Sequence, residues 1–366
     1  MKYAVLLSSF LAVCAAQSTS RQKQEILDEF RYPNGVRPKV PPSNGPNIHA
    51  VSPGGKFEFN ITNHQSAKNI SDIVDALQIA GGFFENALEF TNPIKVKVTY
   101  THGKEGCLTE NYNLGCCVPK RKPIKDNDIQ VSFPYALIHQ KQTNREVAED
   151  MNMYISGAID FVTPQEYGTH NDKFFGILDM IIHELCHGLG FITLIDHYVH
   201  EYHANPNDRS HDGGYIKLNT RRPLFDTFVY LHNTSGLATT QNSYNALSSL
   251  DIPSIEQRNS LYFQTKYGTK VNLATNPKIF SASHYDRSYE NTTDYNMIDF
   301  SKRYNYTLKF QNITSWKTSP IGPKTIEIFE TLGYKRNPNP SRAKSSISFI
   351  EKMSSFNKNE GGEKNM

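Results

Sequence analysis

What the chain lacks narrows its reading first. Beyond the N-terminal leader, no apolar run approaches the roughly 18 residues that span a bilayer, so no transmembrane segment is expected. Cysteine is scarce, with five in 366 residues, too few for a scaffold built from disulfides. Cys14 falls in the leader, which leaves Cys107, Cys116, Cys117 and Cys186. The stretch from Gln17 to Pro46 holds no cysteine, so a thiol that silences a metal in a latent enzyme cannot come from there. Basic residues form no cluster that would argue for nucleic acid. The net charge is +3, and the tail from 335 to 366 carries seven Lys or Arg against three Glu, leaving 17–334 slightly acidic. The polar C-terminus carries no lipid-anchor signal.

What is present begins with MKYAVLLSSFLAVCAAQS, one lysine, a short apolar run and small residues ending at Ala16. This reads as a secretory signal peptide over 1–16. Secretion gives meaning to six Asn-x-Ser/Thr sites, and Asn60, Asn69, Asn233, Asn291, Asn305 and Asn312 are glycosylation candidates. Residues 17–46, polar and then proline-rich, read as a pro-segment or linker with a short helical pattern near Glu25 to Phe30. Cys107 with Cys116 or Cys117 would close a short loop, and Cys186 would pair with the one left over or stay a buried thiol.

The hydrophobic pattern predicts strands at Phe57–Ile61, Ile94–Tyr100 and Asp128–Phe133, and a strand-like run from Tyr154 to Phe161. It predicts a helix from Ser71 to Phe90, whose Gly81 and Gly82 mark a close approach to a neighbour. A strand and turn are expected over 222–236, and a short helix over 321–334 ended by Gly333. Strands flanked by helices argue for an α+β fold. The domain is expected to span 47–334, as halves 47–190 and 191–334, followed by a basic disordered tail over 335–366.

The chemistry concentrates in NDKFFGILDMIIHELCHGLGF, Asn171 to Phe191. Phe174, Leu178, Ile181, Ile182, Leu185 and Leu189 form a helical stripe, with Asn171 or Asp172 as cap and Gly188 and Gly190 as stop. Within it stands H-E-x-x-H. His183 and His187, one turn apart, present two imidazoles on one face, and Glu184 lies close enough to hold a water between them. A zinc hydrolase uses this arrangement: water made acidic by one zinc ion gives its proton to a carboxylate during attack on a carbonyl. Cys186 points about 100° away from His187 and is not expected to be a ligand. A third ligand is required. Candidates are His284, Asp226, and the histidines between His197 and His211.

HELCHGLGF, followed at long distance by Ser283-His284-Tyr285-Asp286 and by Met297, resembles the leishmanolysin-type metalloproteases, a branch of the metzincins. The closing IGPKTIEIFETLGY is similar to that family's last helix. The resemblance implies a twisted mixed sheet plus active-site helix, and an irregular C-terminal half with a Met-turn at Met297. It implies zinc on His183, His187 and His284, Glu184 as general base, and endopeptide hydrolysis of protein or peptide substrates by a secreted monomer. The chain departs from the family pattern at position 193, where Thr stands in place of a local third histidine. Tyr285 and Asp286 stand for the usual Trp and Glu, and no proline follows Met297. A catalytically inactive secreted zinc-binding protein or adhesin on the same fold, and a zinc amidase, are the alternatives.

Overall fold

The computed structural model describes residues 47–63, 70–102, 105–108, 114–126, 129–142, 144–159, 161–162, 176–193, 221–231, 261–276, 279–285, 289, 292, 294–297 and 320–340. The leader, the pro-segment with its short helix, the histidine-rich loop, every sequon except Asn60, and the tail beyond 340 lie outside them. Among the described residues no helix is long and apolar enough to cross a membrane.

The chain forms a mixed α+β structure. Strands β1 (Asn47–Val51) and β2 (Phe57–Asn63) make an antiparallel hairpin. Helix α1 (Ile70–Ala87) carries the chain to the short β3 (Leu88–Glu89) and to β4 (Ile94–Thr101), which pairs parallel to β2. Strands β5 (Gly115–Pro119), β6 (Arg121–Asp126) and β7 (Ile129–Pro134) follow, then helix α2 (Tyr135–Lys141) and β8 (Met151–Ser156). β8 pairs parallel to β4, and β5 closes the edge antiparallel to β8, giving the order β1-β2-β4-β8-β5. A parallel neighbour requires a long crossover, which α1 supplies. Asn60 is exposed on β2, its side chain bonded to His49 Nδ1 at 3.0 Å.

One sheet face is apolar. Phe57, Phe59 and Ile61 of β2, Ile94, Val96 and Val98 of β4, and Met151, Met153 and Ile155 of β8 alternate inward and are buried. Leu77, Ala80 and Phe84 of α1 join the same core, and Phe57 lies 5.8 Å from Phe84, ring centre to ring centre. Gly81 earns its place by contact: a Cβ there would stand 2.8 Å from Ser52 Cβ and 3.1 Å from Phe57 Cβ. This is the close approach that the glycine pair predicts.

Two boundaries differ from expectation. The strand placed at Tyr154–Phe161 begins instead at Met151 and ends at Ser156, because Met151 and Met153 supply its inward face. The expected helix to Phe90 stops at Ala87, where Leu88 and Glu89 leave it to pair with a late strand.

A buried polar cluster anchors this half. Asp150, wholly buried, accepts from Lys95 N–H at 2.7 Å and Arg145 Nη1 at 3.1 Å, and closely contacts His139 Nδ1. It ties the starts of β4 and β8 to α2. Cys107 and Cys116 form a disulfide, so Cys117 and Cys186 remain buried thiols.

Helix α3 (Ile177–Gly188) is followed by β9 (Arg221–Pro223), a 3-10 turn (Phe225–Phe228) and β10 (Val229–Leu231), a more broken course than the strand and turn expected over 222–236. Then come β11 (Leu261–Gln264), β12 (Lys270–Asn276), β13 (Ile279–Tyr285), helix α4 (Pro323–Leu332) and β14 (Lys335–Arg336). β10 to β13 form a four-stranded antiparallel sheet, the regular part of the C-terminal half among the described residues. β9 pairs with β7, and β14 with β3, which stitches late chain to early chain.

Candidate metal centre

Helix α3 is buried on every side rather than on one stripe, as befits a helix at the centre of a fold. It starts later than the sequence pattern predicts. Gly176, extended at φ −72° and ψ 123° and bridged to Val162, is its N-cap; Asn171 and Asp172, the expected caps, lie outside the described residues.

Its end follows expectation. Gly190 adopts φ +114°, which a side chain would strain, and donates to His187 O at 3.0 Å, while Phe191 N–H donates to Cys186 O at 3.0 Å. This pair of bonds turns the chain so that the Phe191 carbonyl faces back toward the helix. There it accepts from His187 Nδ1 at 2.7 Å. The glycine stop therefore also orients an imidazole.

His183 is held from the other half of the chain. Its Nδ1 donates to the carbonyl of Asn296 at 2.7 Å. Asn296 sits in a 3-10 turn, Tyr295–Met297, packed on α3. With its amide oriented to satisfy both neighbours, the Asn296 side chain accepts from His183 N–H (3.1 Å) and donates to Asp179 O (3.3 Å). Met297 beside it is wholly buried.

His284 arrives on β13. Ser283 before it accepts from Thr193 N–H at 3.0 Å, so position 193, where no histidine stands, ties the helix exit to the strand that carries one. Tyr285 after it is buried and bonded through its hydroxyl to Thr325 Oγ1 at 2.9 Å.

The three rings converge. His183 Nε2 lies 3.0 Å from His187 Nε2 and 3.1 Å from His284 Nε2, and all three ligand atoms lie within 4.8 Å of one another. His183 and His187 are buried and His284 half-buried. Since Nδ1 of His183 and of His187 each donate to a carbonyl, their Nε2 atoms carry lone pairs when the rings are neutral. Two lone pairs 3.0 Å apart do not bond to each other; they suit a cation placed between them. Three imidazole nitrogens at tetrahedral angles and bond lengths of 2.0–2.1 Å would lie about 3.3 Å apart, close to what is found. The group can hold a metal ion.

Asp226 is not in this group. It is buried in the 3-10 turn, where its charge favours the protonated form of Arg121 against burial. The histidines from His197 to His211 lie outside the described residues. The Cys186 thiol, pushed up by burial, stands outside the group as well.

Glu184 follows the first histidine and is buried. Burial pushes its carboxyl up to about 8, opposed by a hydrogen bond from the backbone of Cys117. A carboxyl poised near neutral pH can take a proton and return it. Cys117 lies on β5, the edge strand of the large sheet, so that edge runs beside the carboxyl.

Sequence reasoning missed Asn296 and the link from Thr193 to Ser283. Each has a backbone group at one end, the Asn296 carbonyl and the Thr193 N–H, which leaves no trace in residue type. Comparison with protein-family models, with curated proteins and with solved structures finds no match.

Proposed function

We propose that this chain is a secreted zinc metalloendopeptidase with a metzincin-like fold, similar to the leishmanolysin type. The observation that carries the reading is the convergence of three imidazole nitrogens, two of them from a helix that also carries the buried Glu184. His183, His187 and His284 would hold the ion, Glu184 would be the general base, and Met297 the Met-turn residue. Zinc, when bound, supplies a Lewis acid for the scissile carbonyl and an acidified water. Glu184 would accept a proton from the attacking water and return it to the leaving amine. Among the described residues β5 is an edge strand of the large sheet, and its main chain beside Glu184 would receive an extended peptide. The leader over 1–16 supports secretion.

The test pairs zinc content with hydrolysis of casein for purified wild type, Glu184→Ala and His284→Ala. Wild type should carry about one zinc and cut, Glu184→Ala should keep zinc and lose at least about 100-fold in rate, and His284→Ala should lose cutting and purify with little zinc, holding only a weak, exchangeable ion on the helix pair. A zinc-loaded wild type that cuts no peptide would remove the protease reading.

A further inference from the structure

We infer that Asp294 is a positioning residue of the metal centre, acting through the N-terminus of α4. The inference rests on the three-histidine part of the reading above, not on peptide cleavage.

Helix α4 begins without a cap of its own. Its N-cap is Gly322, which has no side chain to bond the free N–H groups of the first turn. Asp294, 28 residues earlier and buried, takes that role from outside the helix. Its Oδ1 accepts from Thr325 N–H at 2.9 Å and from Thr325 Oγ1 at 3.0 Å, and the Lys324 backbone N–H also faces it. A carboxylate at a helix N-terminus satisfies orphan donors and meets the positive end of the helix dipole.

Two ligands depend on this joint. Because the Thr325 hydroxyl gives its proton to Asp294, the Tyr285 hydroxyl donates to Thr325 at 2.9 Å. Tyr285 is the residue after His284. On the other side, the carbonyl of Asp294 begins the 3-10 turn, receiving Met297 N–H at 3.5 Å, and that turn presents the Asn296 carbonyl to His183. One carboxylate thus joins α4 to the strand behind His284 and to the turn behind His183. Gly322 makes room for it, since a Cβ there would stand 2.3 Å from Asp294 Oδ1.

The experiment measures zinc affinity of the full chain by competition with a chromophoric chelator, and the visible spectrum of the cobalt-loaded protein. Asp294→Ala should bind zinc about 10- to 100-fold more weakly and change the cobalt spectrum. Gly322→Ala should do the same by displacing the carboxylate while leaving every bonding group in place. Asp294→Asn, which keeps the accepting oxygen, should stay near wild type in both. Leu332→Ala, at the far end of α4, should lower the unfolding midpoint and leave affinity and spectrum unchanged. Wild-type affinity and spectrum in Asp294→Ala would overturn the inference, as would an equal loss in Leu332→Ala. A wild type that binds zinc but cuts nothing, with Asp294→Ala weakened, would remove the protease reading and leave this inference standing. A wild type that binds no zinc would remove both.

Discussion

The two sides of the three-histidine group are built differently. His183 and His187 share one buried helix, so their separation follows from the helical repeat and from a glycine stop three residues past His187. His284 comes from a strand 97 residues after His187, held by Thr193 to Ser283 and by Tyr285 to Thr325. The first side takes its spacing locally from the helix, while the ring of His183 is oriented from afar by the Asn296 carbonyl. The second is an agreement among separate elements, and it exists only when each is in place. Both sides share one apolar core, which on the first side is the face of the large sheet with Asp150 at its end and on the second includes Phe263, Leu273 and Tyr285, with polar joints such as Asp294 to Thr325 added.

The contrast can be broken by removing ligands. His183→Ala or His187→Ala should abolish zinc retention in equilibrium dialysis, whereas His284→Ala should retain a weak, rapidly exchanging ion on the helix pair. Equal behaviour of all three variants would mean that the helix pair has no independent standing.

Next in size is Asp150→Ala. It leaves His139 and Arg145 without the buried carboxylate they face and should cost about 3–5 kcal/mol in urea unfolding. An effect below about 1 kcal/mol would show that the sheet does not depend on that anchor. Reduction of Cys107–Cys116, a bond closing a short loop of nine-residue separation, should cost about 2–3 kcal/mol and loosen β5. Hydrogen exchange of the β5 amides would report it.

Gly190→Ala sharpens the local side. At φ +114° a side chain should cost about 1–2 kcal/mol and shift the Phe191 carbonyl that orients His187. Zinc affinity should fall along with the unfolding midpoint.

The smallest effect is one of pH. Burial raises the Asp294 carboxyl above the ordinary aspartate range, so the folded state holds that proton more tightly than the unfolded chain. Its contribution favours folding at low pH and is lost as pH rises from the ordinary value through the raised one. Stability of wild type should decline over that window relative to Asp294→Asn, whose curve should be flatter there. Parallel curves would contradict the assignment.

The sequence made the local side legible and much of the second side obscure. H-E-x-x-H and Gly190 can be read because their geometry is carried by spacing along one helix. That helix begins later than its pattern suggests because Gly176 is held extended by a bridge to Val162, a contact that residue type does not announce. β8 begins earlier than its pattern suggests because its first inward residues, Met151 and Met153, carry little strand signal of their own. His284 was readable as one candidate among several, through resemblance rather than periodicity. The Asn296 carbonyl and the Asp294 to Thr325 joint had no local pattern at all, since their partners lie 113 and 31 residues away.

The most direct test of the central claim is X-ray absorption at the zinc edge on the zinc-loaded full chain. The account predicts three imidazole nitrogens at about 2.0–2.1 Å with one further light ligand, falling to two imidazoles in His284→Ala. A wild-type zinc with two imidazoles, unchanged in His284→Ala, would contradict it.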